Sequence, residues 1–275
     1  KHTTFRIGGP SDYFVLPKNI EEVKGVIALC KEKEVPFYIL GNGSNLLVSD
    51  DGFRGVIIQL YKNMSHIEVE GNAQVGALLS KIAAEALQNG LTGFEFASGI
   101  PGTLGGAVVM NAGAYGGEMK DVLTEVTALT QDGEVKVLKK EELDLGYRTS
   151  VVGKKGYIAL EAVVELQKGN PDEIKATMDD LKERRTTKQP LEYPSAGSTF
   201  KRPEGYFAGK LIQDTGLRGF SVGGAQISEK HCGFVINKDQ ATASDVMNLM
   251  NQVSDKVYEE FGVRLQPEVK RLGEF

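Results

Sequence analysis

Glycine constrains this chain more than any other residue: 33 of its 275 residues are glycine, and they gather in two places. The first is Gly41-Asn42-Gly43-Ser44-Asn45. It lies between two short apolar runs, Pro36–Leu40 and Leu46–Val48, that read as strands. The second is the block 98–117, which holds Gly99, Gly102, Gly105, Gly106, Gly113, Gly116 and Gly117. Glycine admits positive φ and lets a ligand come close to the main chain. Successive amides in such a loop can converge on an anion. Tight turns and close strand contacts are the commoner reason for one such loop; two dense loops in one region give ligand binding equal standing. Neither loop matches G-x-G-x-x-G, and no G-x-x-x-x-G-K-[ST] occurs. Physical reasoning therefore reaches a large phosphorylated ligand bound outside a Rossmann fold, a dinucleotide among the choices, and stops there.

The flanking segments mix helices and strands without strict alternation. Asn19-Ile20-Glu21-Glu22 reads as a capped helix start, with Ile20, Val23, Ile27 and Cys30 at helical spacing. A helix is expected over about 78–89, stopped by Gly90, and a β-rich stretch over 122–167 with a hairpin at Gln131-Asp132-Gly133. Pro171 opens a polar helix with Ile174, Met178 and Leu181 on one side. A short helix near 206–215 and strands at Ala225–Ile227 and Gly233–Ile236 follow. A long helix from about Ser244 to Phe261 is capped by Thr242 and Asp245, and a final strand is expected at Val263–Val269. The pattern predicts an α+β protein of two domains.

Net charge is −5, so no global basic field exists to hold nucleic acid. No apolar run nears the roughly 18 residues that span a bilayer, so membrane insertion is not expected. Cys30 and Cys232 fit buried free thiols in a reducing compartment. The histidines His2, His66 and His231 lack metal-ligand spacing, and no metal is expected. The basic run Lys182, Arg184, Arg185 and Lys188 reads first as a solvated helix face.

Further stretches stand out: Thr3–Pro10, Leu40–Val48, Gly99–Gly106 followed by Asn111–Gly116, Gly146-Tyr147-Arg148-Thr149-Ser150, Ser195–Pro203 and Gln266-Pro267-Glu268-Val269. Together they resemble the UDP-N-acetylenolpyruvoylglucosamine reductase (UDP-N-acetylmuramate dehydrogenase) family, built on the FAD-binding scaffold of vanillyl-alcohol-oxidase-like (PCMH-type) flavoenzymes. They stand in the family's order and cover nearly the whole chain. The first loop alone indicates only the flavin scaffold; the three late motifs are more specific. Forty-nine residues separate Arg148 from Ser198, which resembles the compact subtype lacking a tyrosine-bearing insertion.

The resemblance implies an FAD-binding domain over 1–168, with subdomains of about 1–60 and 61–168, and a smaller α+β substrate domain over 169–275. It implies noncovalent FAD held by Leu40, Gly41, Asn42, Gly43, Ser44, Asn45 and Leu46 at its pyrophosphate. Gly99, Ile100, Pro101, Gly102, Gly105, Gly106, Asn111, Gly113 and Ala114 would line the flavin. NADPH is the implied co-substrate and UDP-N-acetylglucosamine-enolpyruvate the substrate, touched by Tyr147, Lys201 and Arg202. Hydride would reach the enolpyruvyl β-carbon, leaving negative charge on the adjacent carbon and its carboxylate. A forked guanidinium suits that carboxylate, and Arg148 matches the family's arginine. Ser198 matches its proton donor. Glu268 matches a carboxyl assisting at the substrate carboxylate, where burial would keep it protonated. Without their motifs, all three would read as surface or turn residues. A cytoplasmic monomer serving peptidoglycan synthesis, and through it cell shape, division and the cell cycle, completes the expectation.

Two rivals stand beside it. One is an FAD-dependent oxidase of a small alcohol or acid on the same scaffold; such enzymes often tether FAD through histidine, and none is near either glycine loop in sequence. The other is a non-enzymatic nucleotide-binding module, which would need no Arg/Ser/Glu set.

Overall fold

A computed structural model describes residues 2–70 and 73–275. Two separate hydrophobic cores organise the chain, and its compact units follow them rather than linear order. A central unit comprises Tyr13–Asn42 and Gly55–Arg185. A terminal unit comprises the chain up to Asp12, Gly43–Arg54 and Thr186–Phe275. The chain passes from one to the other inside the first glycine loop.

In the central unit the helix Ile20–Glu32 starts as expected: the Asn19 side chain accepts from the Glu22 amide at 2.8 Å, and Val23, Ile27 and Cys30 are buried. Phe37–Leu40 pairs in parallel with Val56–Gln59. A four-stranded antiparallel sheet runs Val135–Lys139, Leu123–Leu129, Ile158–Val164, Ala73–Gln74. Its hairpin turns at Gly133, whose φ of 86° requires the left-handed region. The helix Leu79–Gln88 ends before Gly90 at φ 61°. Within the second glycine block lies a seven-residue helix, Leu104–Met110, that periodicity does not reveal because two of its first three residues are glycine. The helix Pro171–Lys188 is polar nearly all round; only Ile174 is buried, while Met178 and Leu181 are half-buried.

The terminal unit has an antiparallel sheet ordered Ser195–Ser198, Phe234–Asn237, Ala225–Ile227, Ser221–Val222. The helix Ala243–Phe261 packs on it through Val246, Met250, Val253 and Val257, all buried. Gly262, at φ 68°, ends that helix. Cys30 and Cys232 are free and buried. The last strand differs from expectation. It is Lys270–Leu272, parallel to Leu46–Val48, and Val263–Val269 is irregular. Pro267 cannot donate to a ladder, and only an isolated bridge joins it to Phe200.

The Ala243–Phe261 helix is capped twice. Thr242 and Asp245 form the expected capping box. Asp50, from the segment after the first glycine loop, accepts from the amides of Ala243 at 2.6 Å and Ser244 at 3.0 Å, and from the Ser244 hydroxyl at 2.9 Å. Partial burial pushes the Asp50 carboxyl upward, but these hydrogen bonds prevail and hold it below the usual range. A carboxylate with a lowered folded-state pKa stabilises above its unfolded pKa, and that contribution disappears as pH falls through the folded value. Asp50→Ala is therefore expected to cost about 1 kcal/mol near neutral pH, as caps do. Denaturant titrations of the apoprotein at stepped pH should show the difference shrinking as acid protonates Asp50. A deficit that persists undiminished in acid would contradict the charged cap.

Candidate active site

In the central unit the two glycine loops meet. The Asn42 side chain donates from Nδ2 to the Pro101 carbonyl at 2.7 Å, and buried Gln59 donates from Nε2 to the Gly41 carbonyl at 2.9 Å. A Cβ on Gly41 would stand 2.4 Å from Oγ1 of buried Thr103, so only glycine fits there. The second block is laid along 75–79 by backbone bonds: Leu79 N to Gly102 O, Leu104 N to Ala77 O and Gly105 N to Val75 O, all 2.9–3.1 Å. Among the described residues, the amides of Gly41, Asn42, Gly43 and Ser44 donate to no protein acceptor. Buried or half-buried amides are nearly always paired; four successive ones left for a ligand suit a diphosphate. Leu40 and Leu46, at the loop's ends, are buried.

The remaining members of the second block lie close by in sequence and structure. Ile100 and Gly102 are half-buried, Pro101 and Gly106 exposed. Gly113 and Ala114 pair with Gly117 and Glu118 in a small hairpin whose turn, Tyr115-Gly116, has φ of 54° and 91°. Asn111 is fully buried and left-handed at φ 42°. Its side chain engages protein: Oδ1 accepts from Lys120 N at 2.8 Å, and Nδ2 donates to Glu118 Oε2 at 2.9 Å and Gly146 O at 3.0 Å.

Arg148 also belongs to the central unit. It is half-buried, at φ 55°, in a turn closed by Gly146 N to Thr149 O at 3.1 Å and Thr149 N to Gly146 O at 3.2 Å. Its guanidinium lies 5.1 Å from the ring of exposed Tyr147. Arg185 departs from the solvated-face reading of the basic run. It packs against Gly99, where an added Cβ would sit 2.7 Å from Nε, and stacks at 5.8 Å on Tyr115. Burial pulls its guanidinium below the ordinary value, and Tyr115 pulls it back. Arg184 does face outward, paired with Asp180 at 2.8 Å. The packing of Arg185 and Thr103 was not legible: Arg185 lies far along the chain from Gly99, and Thr103, inside the second block, packs on Gly41 of the first.

Ser198 and Glu268, 70 positions apart, are neighbours in the terminal unit. Ser198 ends a strand opposite Phe234 and is exposed. The carbonyl of Thr199 accepts from Glu268 N at 2.8 Å, and Lys201 N donates to Gln266 O at 2.8 Å. Buried Thr199 is itself pinned by Val235 N to its Oγ1 at 2.9 Å. Asn45 Nδ2 donates to the Glu268 carbonyl at 3.3 Å, so the exit of the first glycine loop touches the Glu268 segment. Glu268 is half-buried. Lys201 is half-buried, and Arg202 turns back onto its own loop, 3.9 Å over Phe207.

The N-terminal motif explains itself here. Thr4 N donates to Gly43 O at 3.1 Å and Thr4 Oγ1 to Ser195 O at 2.7 Å. A Cβ on Gly43, at φ 64°, would stand 2.4 Å from the His2 carbonyl. A histidine thus does lie beside the first loop, brought there by the fold rather than by sequence proximity.

The glycine loops, with their open amides and filled Cβ positions, fit a flavin dinucleotide, and the comparisons agree. Residues 11–139 match the FAD binding domain, and residues 189–272 match the UDP-N-acetylenolpyruvoylglucosamine reductase C-terminal domain. The chain is 56% identical to the UDP-N-acetylenolpyruvoylglucosamine reductase of Agathobacter rectalis, over 100% of this chain and 92% of that protein. It is 55% identical to the reductase of the same name from Clostridioides difficile, over 100% and 91%. The crystal structure of the Thermus caldophilus reductase superposes with a TM-score of 0.85 at 38% identity, over 99% of this chain and 96% of that one. On relatedness that runs from end to end, this chain belongs to the UDP-N-acetylenolpyruvoylglucosamine reductase family.

Proposed function

We propose that the chain reduces the enolpyruvyl group of UDP-N-acetylglucosamine-enolpyruvate to UDP-N-acetylmuramate, with noncovalently bound FAD and with NADPH as hydride source. The observation that carries this reading is the pairing of Ser198 with Glu268 on hydrogen-bonded segments, in a chain related over its full length to reductases of that name. The backbone from Leu40 to Leu46 would hold the FAD pyrophosphate, and Gly99–Gly106 with Gly113 and Ala114 would border the flavin. FAD bound there would supply the relay of hydride from NADPH to the enolpyruvyl carbon.

The chain's own residues manage the resulting charge and proton. Arg148 opposes the negative charge on the substrate carboxylate with its planar fork of donors. Ser198 donates its hydroxyl proton to the adjacent carbon, a step open to a weak acid because the acceptor is strongly basic. Glu268 stands with Ser198 at the carboxylate end. Tyr147, Lys201, Arg202 and Arg185 are candidates to hold the remainder of the UDP-sugar. Residues 1–168 then act as the FAD-binding part and 169–275 as the substrate part. The matched family spans support that division, while the two cores share the first loop between them. The site of action is peptidoglycan precursor synthesis, with the cell shape, division and cell-cycle roles that follow from it. No described helix is long and apolar enough to cross a membrane, and we assign the protein to the cytoplasm as a monomer.

Ser198→Ala tests the assignment by halves. NADPH-driven bleaching of the flavin should persist, whereas reoxidation by the enolpyruvyl UDP-sugar should slow by on the order of 10²–10⁴-fold. Stopped-flow absorbance reports the two separately; equal slowing of both would remove Ser198 from the proton-donor role. Acid precipitation of the holoenzyme should leave all yellow colour in the supernatant, and a yellow pellet would point to a tether, with His2 the first candidate. Gly43→Ala should destabilise even the flavin-free protein by about 1–2 kcal/mol or more, since a left-handed φ and the His2 carbonyl both oppose a Cβ. If the apoprotein keeps its stability and only FAD binding fails, the glycine serves ligand approach instead.

A further inference from the structure

The loop carrying Arg148 is tied at both ends to one point, the C-terminus of the helix Leu104–Met110. On one side the Asn111 amide donates to the Gly146 carbonyl. On the other, fully buried Ser150 donates from Oγ to the Val109 carbonyl at 3.0 Å and accepts from Gly153 N at 3.2 Å. Between these anchors Arg148 holds a left-handed φ that costs a non-glycine residue energy and persists only where the surroundings impose it.

Asn111 is built to impose it. A backbone N–H, that of Lys120, faces Oδ1 and so dictates which way the amide points: both Nδ2 hydrogens must face acceptors. Those acceptors are the Gly146 carbonyl and the Glu118 carboxylate. Glu118 is held in turn. Its hairpin neighbour Gly113 has no room for a Cβ, which would lie 2.7 Å from the Glu118 Cγ, and Lys120 Nζ sits 2.9 Å from Oε2. The hydrogen bond from Lys120 is the main influence holding the Glu118 carboxyl below its usual range. Partial burial opposes it, and Asn111 and the charges of Lys120 and Arg148 add to it. Glu118 is therefore an anion at neutral pH, and a charged acceptor strengthens the bond from Asn111.

We propose that Asn111, braced by Glu118, is the positioning residue of the Arg148 turn, setting where the guanidinium meets the anionic end of the substrate. This rests on the role given to Arg148 above. It departs from the expectation that Asn111 contacts the flavin, since its amide is committed to the protein on both its oxygen and its nitrogen. Fixing one catalytic group within a fraction of an ångström matters because a displacement of about 1 Å can cost on the order of 10²-fold in rate.

Asn111→Asp keeps the shape and the acceptor for Lys120 N but removes both donors and sets a carboxylate against Glu118. In stopped-flow measurements on the holoenzyme, the limiting rate of flavin reoxidation by the enolpyruvyl UDP-sugar should fall by on the order of 10²-fold relative to the rate of bleaching by NADPH. Equal falls in both rates, loss of bound flavin, or no change would overturn the proposal. Where that variant does not fold, Glu118 decides. Glu118→Ala should impair reoxidation selectively. Glu118→Gln, which still accepts from Asn111, should recover to within about fivefold, since an exposed ion pair with Lys120 is worth little. Gln no better than Ala would contradict the bracing role. A wild-type enzyme that the UDP-sugar does not reoxidise would defeat the functional reading instead. The positioning claim would then be decided by a crystal structure of Asn111→Asp, in which Gly146–Thr149 should shift by on the order of 1 Å; an unmoved turn overturns it.

Discussion

Three parallel backbone pairs, Leu46 with Lys270, Leu47 with Arg271 and Val48 with Leu272, support the chemistry of the terminal unit. A parallel pairing so far apart in sequence closes a loop of more than two hundred residues, and it repays that entropy only through the core around it. Leu47 and Val269 lie in that core with the Ala243–Phe261 helix. The pairing brings the exit of the first glycine loop beside Glu268, and the Thr199 carbonyl then joins Glu268 to Ser198. Asp50 continues the same segment into the helix cap. A loop that leaves successive backbone N–H groups bare is held through its carbonyls and side chains, and through its ends: Ile39 packs on the central core and Leu47 lies in the terminal one.

The candidate chemistry divides along the same line. Arg148, the second glycine block and Arg185 belong to the central unit; Ser198, Glu268, Lys201 and Arg202 belong to the terminal one. Each group is rigid for local reasons. Buried Asn111 and Ser150 hold the arginine turn, and buried Thr199 joins the Ser198 strand to the Glu268 segment. The side chains proposed to meet substrate are thus oriented by polar neighbours that are buried, which concentrates the cost of buried polar groups where they are hydrogen-bonded.

Local rules were legible in the residues and tertiary ones were not. Asn19, Thr242 with Asp245, Gly133 and Gly262 act within a few positions of themselves, and their caps and turns are as the sequence implies. The strand expected at Val263–Val269 moved to Lys270–Leu272 because its partner, Leu46–Val48, chose the register, and no local pattern records a parallel partner. The helix Leu104–Met110 hid behind glycines whose absent Cβ atoms serve close packing: Gly105 lies against Val75. Arg148, Ser198 and Glu268 became candidates only through motif resemblance, since taken singly each looks like a surface residue. The protein partners of the Asn111 side chain were not legible, because a buried amide's three partners come from positions 118, 120 and 146.

The central claim is that this protein is a reductase whose electrons end on an enolpyruvyl ether and not on oxygen. The most direct measurement is a single turnover without oxygen: holoenzyme reduced with one equivalent of NADPH, then mixed anaerobically with the enolpyruvyl UDP-sugar. Flavin absorbance should return within the mixing experiment, with one lactyl ether formed per flavin. Absorbance that stays bleached until air is admitted would contradict the account and favour an oxidase on the same scaffold.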